Sequence, residues 1–200
     1  ELNPRGIPVY HPTTFRVGES NIFIAGDVNA NRPLLHEAAD QGRIVGYNAV
    51  NDANQCFQQR TFLAVTFSDP NISIVGDTYS QLKAAGTDFV TGDVSYEGQG
   101  RAIVMLKEKG LAHIYADKKN GRILGAEMIA PYGEHMAHLL AWVITMKLTV
   151  HEVLSLPFYH PVVEEGLRTA FRKIAEQVDG SASPLEILRC EDPPAGNNCL

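Results

Sequence analysis

The stretch GRILGAEMIAPYGEHMAHLLAWVITM, residues 121–146, places a strand, a turn and a helix in direct succession. Arg122–Ile129 is a short apolar run of the length that favours a buried strand. Beyond Pro131 the apolar residues recur at helical spacing; they are Met136, Leu139, Leu140, Val143 and Ile144. The neighbouring helix face carries His135, His138, Trp142 and Met146. Because a helix that is apolar on two faces is usually buried on both, we expect a second subunit to cover one of them.

Runs of strand-forming residues precede this stretch, and turn residues separate them. The predicted strands are Thr61–Phe67, Ile72–Val75, Phe89–Tyr96, Ala102–Lys107 and Ala112–Ala116. Thr78–Ala85 predicts a short helix that ends at Gly86, and Asn120-Gly121 predicts the turn of a hairpin. Successive strands followed by helices predict an α+β fold, an antiparallel sheet with flanking helices.

Two more helices are predicted on the C-terminal side. Thr149 and Glu152 have the spacing of a capping box, which starts a short helix. Apolar residues recur at helical spacing from Val163 to Val178. Pro161 is predicted to be the first residue of that last helix, because proline is favoured there. Residues 179–200 are rich in Ser, Pro, Gly and Asn, which predicts a flexible tail.

The first fifty residues have the pattern of an α/β domain. Asn21–Ala25 predicts a buried strand, and Pro33 is predicted to open a helix. The small residues of that helix share one face, which permits close approach to a sheet; they are Ala38, Gly42, Gly46 and Ala49. One strand and one helix cannot bury their own apolar faces. We therefore expect residues 1–54 to be the C-terminal remnant of a domain, and residues 55–60 to be a linker.

Composition excludes several classes of function. The 200 residues carry 17 Lys and Arg against 23 Asp and Glu, a formal net charge of −6. A net-acidic chain without a basic cluster predicts no nucleic-acid partner, and no apolar run reaches the ~18 residues of a membrane span. The sparse cysteines, Cys56, Cys190 and Cys199, fit a reducing compartment, so we expect a cytoplasmic protein. Cys190 and Cys199 are either incidental thiols, which the spacing favours, or a redox pair.

Asp27 is a candidate ligand-binding residue. It follows a predicted strand and precedes a predicted helix start, which is where open α/β sheets bind ligands. A helix N-terminus favours an anion, and the carboxylate could accept hydrogen bonds from sugar hydroxyls. The alternative is that Asp27 only forms a turn, and spacing alone favours that alternative.

His160 and Glu165 are a candidate acid–base pair. A carboxylate from the first helical turn could orient the imidazole and favour its protonated form. A pairing of this kind is what a general base needs, because the carboxylate stabilises the imidazole once it has accepted a proton. The alternative is an exposed histidine beside solvated glutamates, which spacing alone favours. His135 and His138 lie three residues apart, but no evident third ligand for zinc accompanies them. We therefore expect them to be core or interface histidines, and we expect no metal site.

Four segments, taken in order, resemble the C-terminal part of the flavin-dependent pyridine nucleotide–disulfide oxidoreductases, and the dihydrolipoamide dehydrogenases most of all. The segments are IFIAGDVNANRPLLHEAADQG, FSDPNISIVGDT, GRILGAEMIAPYGEHMAHLLAW and FYHPVVEEGLRTA. The resemblance spans residues 21–178. It implies that residues 61–178 form the dimerisation domain of a homodimer, preceded by the end of an FAD-binding domain.

The resemblance also implies residue roles. Asp27 would bind the ribityl chain of FAD. His160 and Glu165 would be the catalytic pair, reaching into the partner subunit's active site, with a cis peptide between His160 and Pro161. The residues expected to pack near the flavin ring are Leu34, Leu35 and His36. The implied reaction transfers electrons between dihydrolipoamide and NAD, and the implied partner is a 2-oxo acid dehydrogenase complex with its lipoyl groups.

The chain departs from the family pattern at several points, and these departures change what we expect of its activity. It lacks the family's FAD-binding glycine motif, its Cys-x-x-x-x-Cys disulfide and its nicotinamide-binding domain. We therefore expect a fragment that is inactive and binds no cofactor, from a parent that binds FAD and NAD. Val162 and Val163 replace a Thr-containing segment after His-Pro. Glutathione or mercuric reductase activity therefore stays open, as does a dimerisation module without enzymatic activity.

Overall fold

The computed structural model describes residues 1–51, 55–178 and 185–187. The described chain forms two compact units, divided between Arg60 and Thr61. Most of the predicted tail, including Cys190 and Cys199, lies outside the described residues. In the part of the chain that is described, no helix is long and apolar enough to cross a membrane.

The first unit is built around helix α1 (Leu35–Val50), which follows a 3₁₀ turn at Gly26–Asn29. Upstream of the turn the chain makes only isolated bridges, such as the one between Arg16 and Phe23. Residues 55–60 have no regular structure and are tied to the same unit, since the Phe57 N–H donates to the Thr13 carbonyl at 3.2 Å.

Two expectations for this unit are wrong. Asn21–Ala25 is not a buried strand, because a strand needs a partner along its length and only Phe23 is paired. Helix α1 begins at Leu35 rather than Pro33, because the backbone is still extended at Leu34. The small residues Gly42, Gly46 and Ala49 are exposed in the described chain, so the approach of this helix face to a sheet stays a prediction.

The second unit contains a five-stranded antiparallel sheet in the order β1-β2-β5-β4-β3. The strands are β1 (Leu63–Thr66), β2 (Asn71–Gly76), β3 (Phe89–Ser95), β4 (Leu111–Asp117) and β5 (Ile123–Ala130). The predicted hairpin at Asn120-Gly121 joins β4 to β5, and Gly121 has the positive φ of 70° that its turn requires. The predicted α+β class, an antiparallel sheet with flanking helices, is confirmed.

The helices of this unit are α2 (Tyr79–Ala84), α3 (Gly100–Val104), α4 (Gly133–Thr145), α5 (Val150–Leu154) and α6 (Glu165–Ala175). Helix α4 packs on β2 and β5, while α6 packs on β3 and β4. The core between them is apolar, with Ile114, Leu140 and Phe171 almost completely buried. Gly92 on β3 lets α6 approach closely, because a Cβ there would collide with the Ala170 carbonyl.

Two element predictions in the second unit are wrong and one is confirmed. The segment predicted as strand Ala102–Lys107 instead begins with the last three residues of α3, a helix that the Gln99 side chain caps, and β3 pairs directly with β4. Pro161 does not start the last helix, which begins at Glu165 after a turn. The capping box of α5 is confirmed, with Thr149 and Glu152 satisfying each other's backbone N–H groups.

Candidate functional site

The candidate acid–base pair is assembled at the start of α6. The Nδ1 atom of His160 lies 2.8 Å from Oε1 of Glu165. The second carboxylate oxygen of Glu165 accepts the Val162 N–H at 3.2 Å. The peptide between His160 and Pro161 is cis, as the family resemblance implies. The four residues between the two members of the pair therefore form a compact turn closed by the glutamate.

The environment of Glu165 favours the ionised carboxylate. The hydrogen bond with His160 lowers the pKa of Glu165 most, and the Val162 N–H and the positive charge of Arg168 lower it further, against the effect of partial burial. Glu165 is also the first residue of α6, where the helix dipole favours negative charge. The carboxylate is thus available at neutral pH to orient the imidazole and to stabilise its protonated form.

The two side chains differ in their access to solvent. The Glu165 side chain is 29% exposed, whereas that of His160 is 80% exposed. Because Nδ1 faces Glu165, Nε2 is the ring nitrogen left to exchange a proton with another molecule. The arrangement is an anchored carboxylate behind an accessible imidazole, which is the geometry of a general acid–base catalyst.

An apolar surface lies next to this pair. Trp142 on the outward side of α4 and Met146 directly after the helix are largely exposed, with Trp142 67% accessible. They border a cavity of about 440 Å³ whose other walls include Phe158, Tyr159 and Val162. The described chain therefore presents a continuous apolar face that leads from α4 to the segment carrying His160.

Two supporting residues were missed by sequence reasoning. Gln99, just before α3, donates from Nε2 to the Val162 carbonyl at 2.8 Å. Tyr96 is fully buried, and its ring packs against Gly166 in the first turn of α6. No sequence signal pointed to them, because glutamine is not a preferred helix cap and these contacts join positions more than sixty residues apart.

A cluster of charges on the outer side of α6 was also missed. Glu186 accepts hydrogen bonds from Arg172 and Arg168, which together lower the pKa of Glu186 to about 2. The guanidinium of Arg168 also lies over the ring of Phe158, 5.7 Å from its centroid. Glu186 lies in the segment predicted as a flexible tail. No sequence pattern there indicated that its carboxylate would bond arginines of α6.

The predicted FAD residues all lie in the first unit. Asp27 is exposed on the 3₁₀ turn, and that turn is fixed to α1 because Gln41 Oε1 accepts the Gly26 N–H at 2.8 Å. Leu34 precedes the first residue of α1, and within the described chain no side chain caps this helix end. Leu35 and His36 are exposed in its first turn.

The two histidines of α4 are not core residues. His135 and His138 are both exposed. The ring of His135 stacks on Tyr132 with 5.8 Å between centroids, and His138 Nδ1 lies 2.8 Å from the Glu134 carbonyl oxygen. The described residues contain no group of three or more His, Cys, Asp or Glu side chains placed to hold a metal ion.

Comparison with known families identifies the second unit. Residues 62–171 match the family described as "Pyridine nucleotide-disulphide oxidoreductase, dimerisation domain". This match covers more than half of the 200 residues. The chain belongs to the pyridine nucleotide-disulphide oxidoreductases. The family resemblance drawn from the four sequence segments is thereby confirmed.

Similar members of this oxidoreductase family include a dihydrolipoyl dehydrogenase from Haloferax volcanii, 30% identical over 78% of this chain and 33% of the relative. A mercuric reductase from Streptomyces lividans is also 30% identical, over 82% of this chain and 34% of the relative. The HOCl-induced flavoprotein disulfide reductase from Escherichia coli shares the fold, with a TM-score of 0.73 at 24% identity over 86% of this chain and 40% of that structure. The chain spans about a third of the length of the curated relatives it matches.

Proposed function

We propose that this chain is the C-terminal part of a dihydrolipoamide dehydrogenase and supplies its acid–base pair. The observation that carries the proposal is the 2.8 Å contact between His160 and Glu165 within a dimerisation domain of this family. The similarity to a dihydrolipoyl dehydrogenase over most of the chain supports the choice of reaction. On this proposal residues 1–54 complete an FAD-binding domain and residues 61–178 form the dimerisation domain.

His160 would take the proton from a substrate thiol. A thiol with an ordinary pKa of about 8.5 is mostly protonated at neutral pH, and only the thiolate is a strong nucleophile. Nε2 of His160 accepts that proton, and Glu165 stabilises the imidazolium that forms. The thiolate then attacks a disulfide sulfur, and the proton on His160 is available for the thiolate that leaves.

The residues of the first unit fit a flavin. Asp27 offers exposed carboxylate oxygens that can accept hydrogen bonds from ribityl hydroxyls, on a turn that Gln41 holds in place. The start of α1, next to Leu35 and His36, has backbone N–H groups that no described side chain caps, which favours electronegative ring atoms. FAD, when bound, supplies the electron transfer between a disulfide and NAD. We assign no residue of this chain to NAD.

Two copies of the chain would pair through the apolar face of α4. Exposed Trp142 and Met146 would be costly to leave in water on a monomer. The same face adjoins the segment that carries His160, so pairing brings the imidazole towards the partner subunit. Burial of this face therefore links dimer formation to assembly of an active site shared by two subunits.

A mercuric reductase is the second candidate, because the relative from Streptomyces lividans is as similar as the dihydrolipoyl dehydrogenase from Haloferax volcanii. The test is turnover by the full-length enzyme with dihydrolipoamide and NAD, with glutathione disulfide and NADPH, and with Hg(II) and NADPH. Preferred use of dihydrolipoamide supports the proposal, and preferred reduction of either other substrate contradicts it. We also expect the full-length enzyme to co-purify from the cytosol with a 2-oxo acid dehydrogenase complex that carries lipoyl groups.

A further inference from the structure

We infer that Gln99 is a positioning residue for the His160–Glu165 pair, an inference that rests on the function proposed for that pair. Three hydrogen bonds connect them in series. Gln99 Nε2 donates to the Val162 carbonyl at 2.8 Å, and the Val162 N–H donates to Glu165 Oε2 at 3.2 Å. Glu165 Oε1 then lies 2.8 Å from Nδ1 of His160.

Val162 is the critical link in this series. It lies in the irregular segment between α5 and α6, and both of its backbone polar groups are bonded to side chains, one of Gln99 and one of Glu165. The N–H and the carbonyl belong to adjacent peptide planes that meet at the Val162 Cα. Holding the carbonyl therefore restricts the backbone next to the N–H that bonds the Glu165 carboxylate.

Gln99 is itself held firmly. Its Oε1 accepts the Ala102 N–H at 2.7 Å, which caps α3 and leaves Nε2 directed at Val162. Its own N–H donates to the Tyr96 carbonyl at 3.1 Å. Tyr96 is anchored in turn, because its hydroxyl contacts the Met136 sulfur at 2.6 Å and its ring packs against Gly166 of α6. The connection between β3 and α3 thus supports the start of α6 at two points.

The chain offers a variant that isolates the proposed bond. In Gln99→Ser a short side-chain oxygen can still cap α3, since serine is among the preferred N-cap residues, but it cannot reach Val162. The matched control is Gln177→Ser, because Gln177 Nε2 also donates to a backbone carbonyl, that of Thr91 at 3.0 Å, near the opposite end of α6. Each variant therefore removes one glutamine side chain that donates to a backbone carbonyl: Gln99 donates to the segment before α6, and Gln177 lies just after that helix.

Two measurements on the 200-residue chain test the positioning role without any activity assay. Loss of one hydrogen bond is expected to accelerate amide exchange at Val162 by roughly two- to tenfold in Gln99→Ser. The Val162 N–H helps to lower the pKa of Glu165, together with His160 and Arg168, so the carboxyl carbon of Glu165 should titrate at higher pH in this variant. Gln177→Ser should change neither value. Unchanged exchange at Val162 and unchanged titration of Glu165 in Gln99→Ser would overturn the inference.

Turnover of the full-length enzyme separates this inference from the proposed function. Gln99→Ser is expected to lower kcat while KM stays close to its original value, with a smaller loss than in His160→Gln. A loss in His160→Gln with none in Gln99→Ser would show that Gln99 does not position the pair for catalysis. Near-native turnover in His160→Gln would instead contradict the proposed function, whatever exchange rate Val162 shows.

Discussion

The imidazole of His160 is held by the carboxylate of Glu165, with 2.8 Å between Nδ1 and Oε1. The carboxylate is the fixed partner, since it belongs to the first turn of α6 and also accepts a backbone N–H. The imidazole is the exposed partner, with Nε2 left to exchange a proton. This division of roles predicts that substituting His160 reduces turnover more than substituting Glu165.

We expect His160→Gln in the full-length enzyme to reduce turnover by about 10²–10⁴-fold, the usual contribution of general acid–base catalysis. Glu165→Gln should reduce turnover less, because glutamate acts only by orienting the ring and stabilising its charge. Steady-state kinetics and the flavin absorbance of each variant provide the measurements. Both variants should retain flavin, since its contacts are assigned to Asp27 and the start of α1. Near-native turnover for both would argue that His160 is only an exposed surface histidine.

Trp142→Glu should weaken the proposed dimer by about 30-fold or more in dissociation constant, because buried tryptophans often contribute about 2 kcal/mol or more to an interface. Sedimentation velocity at micromolar concentration measures the change. Val104→Glu is the matched control, since Val104 is a similarly exposed apolar residue on α3. A chain that is monomeric before any substitution would rule out the proposed α4 interface.

Glu186→Gln should destabilise the fold by about 1 kcal/mol at pH 7, the upper end for a partly exposed ion pair. Its pKa is about 2 in the folded chain, against an ordinary value of 4.5. A carboxyl group with a lowered pKa stabilises the fold above its ordinary pKa and loses that contribution as the pH falls towards the folded value. The difference in unfolding free energy between Glu186→Gln and the unaltered chain should therefore shrink as the pH falls from 4.5 to 2. Urea unfolding at a series of pH values measures it.

The matched control for that experiment is Glu176→Gln, which removes an exposed carboxylate close to the end of α6. Its unfolding free energy should stay close to that of the unaltered chain at both ends of the pH range. An equal loss of stability in the two variants would contradict a specific role for the contacts of Glu186 with Arg168 and Arg172.

Gly92→Ala should destabilise the second unit by about 1–3 kcal/mol, the usual cost of inserting a methyl group into a packed core. The added Cβ would collide with the Ala170 carbonyl and push α6 away from β3. Gly100→Ala is the control, because a Cβ there meets open space. Chemical unfolding followed by circular dichroism compares the two. Equal stabilities would show that α6 can shift without cost.

The candidate catalytic pair was predictable only in part. The spacing of His160 and Glu165 alone favoured an exposed surface histidine. The family resemblance of the segment FYHPVVEEGLRTA was what implied the pair and the cis peptide at Pro161. The contribution of Gln99 could not be predicted. A hydrogen bond between residues 63 positions apart depends on how the β3–α3 connection packs against α6, and no local pattern encodes that.

Elements with purely local causes followed from the sequence. The capping box at Thr149, the Asn120-Gly121 hairpin and the apolar stripe of α4 each depend on side chains within a few residues of one another. Elements that need distant partners were decided by the tertiary structure. Ala102–Lys107 has strand-like composition, yet β4 rather than this segment pairs with β3, and its first residues complete α3, which Gln99 caps. Backbone groups must find hydrogen-bond partners, and the capped helix supplies them here despite the strand preference of a short apolar run.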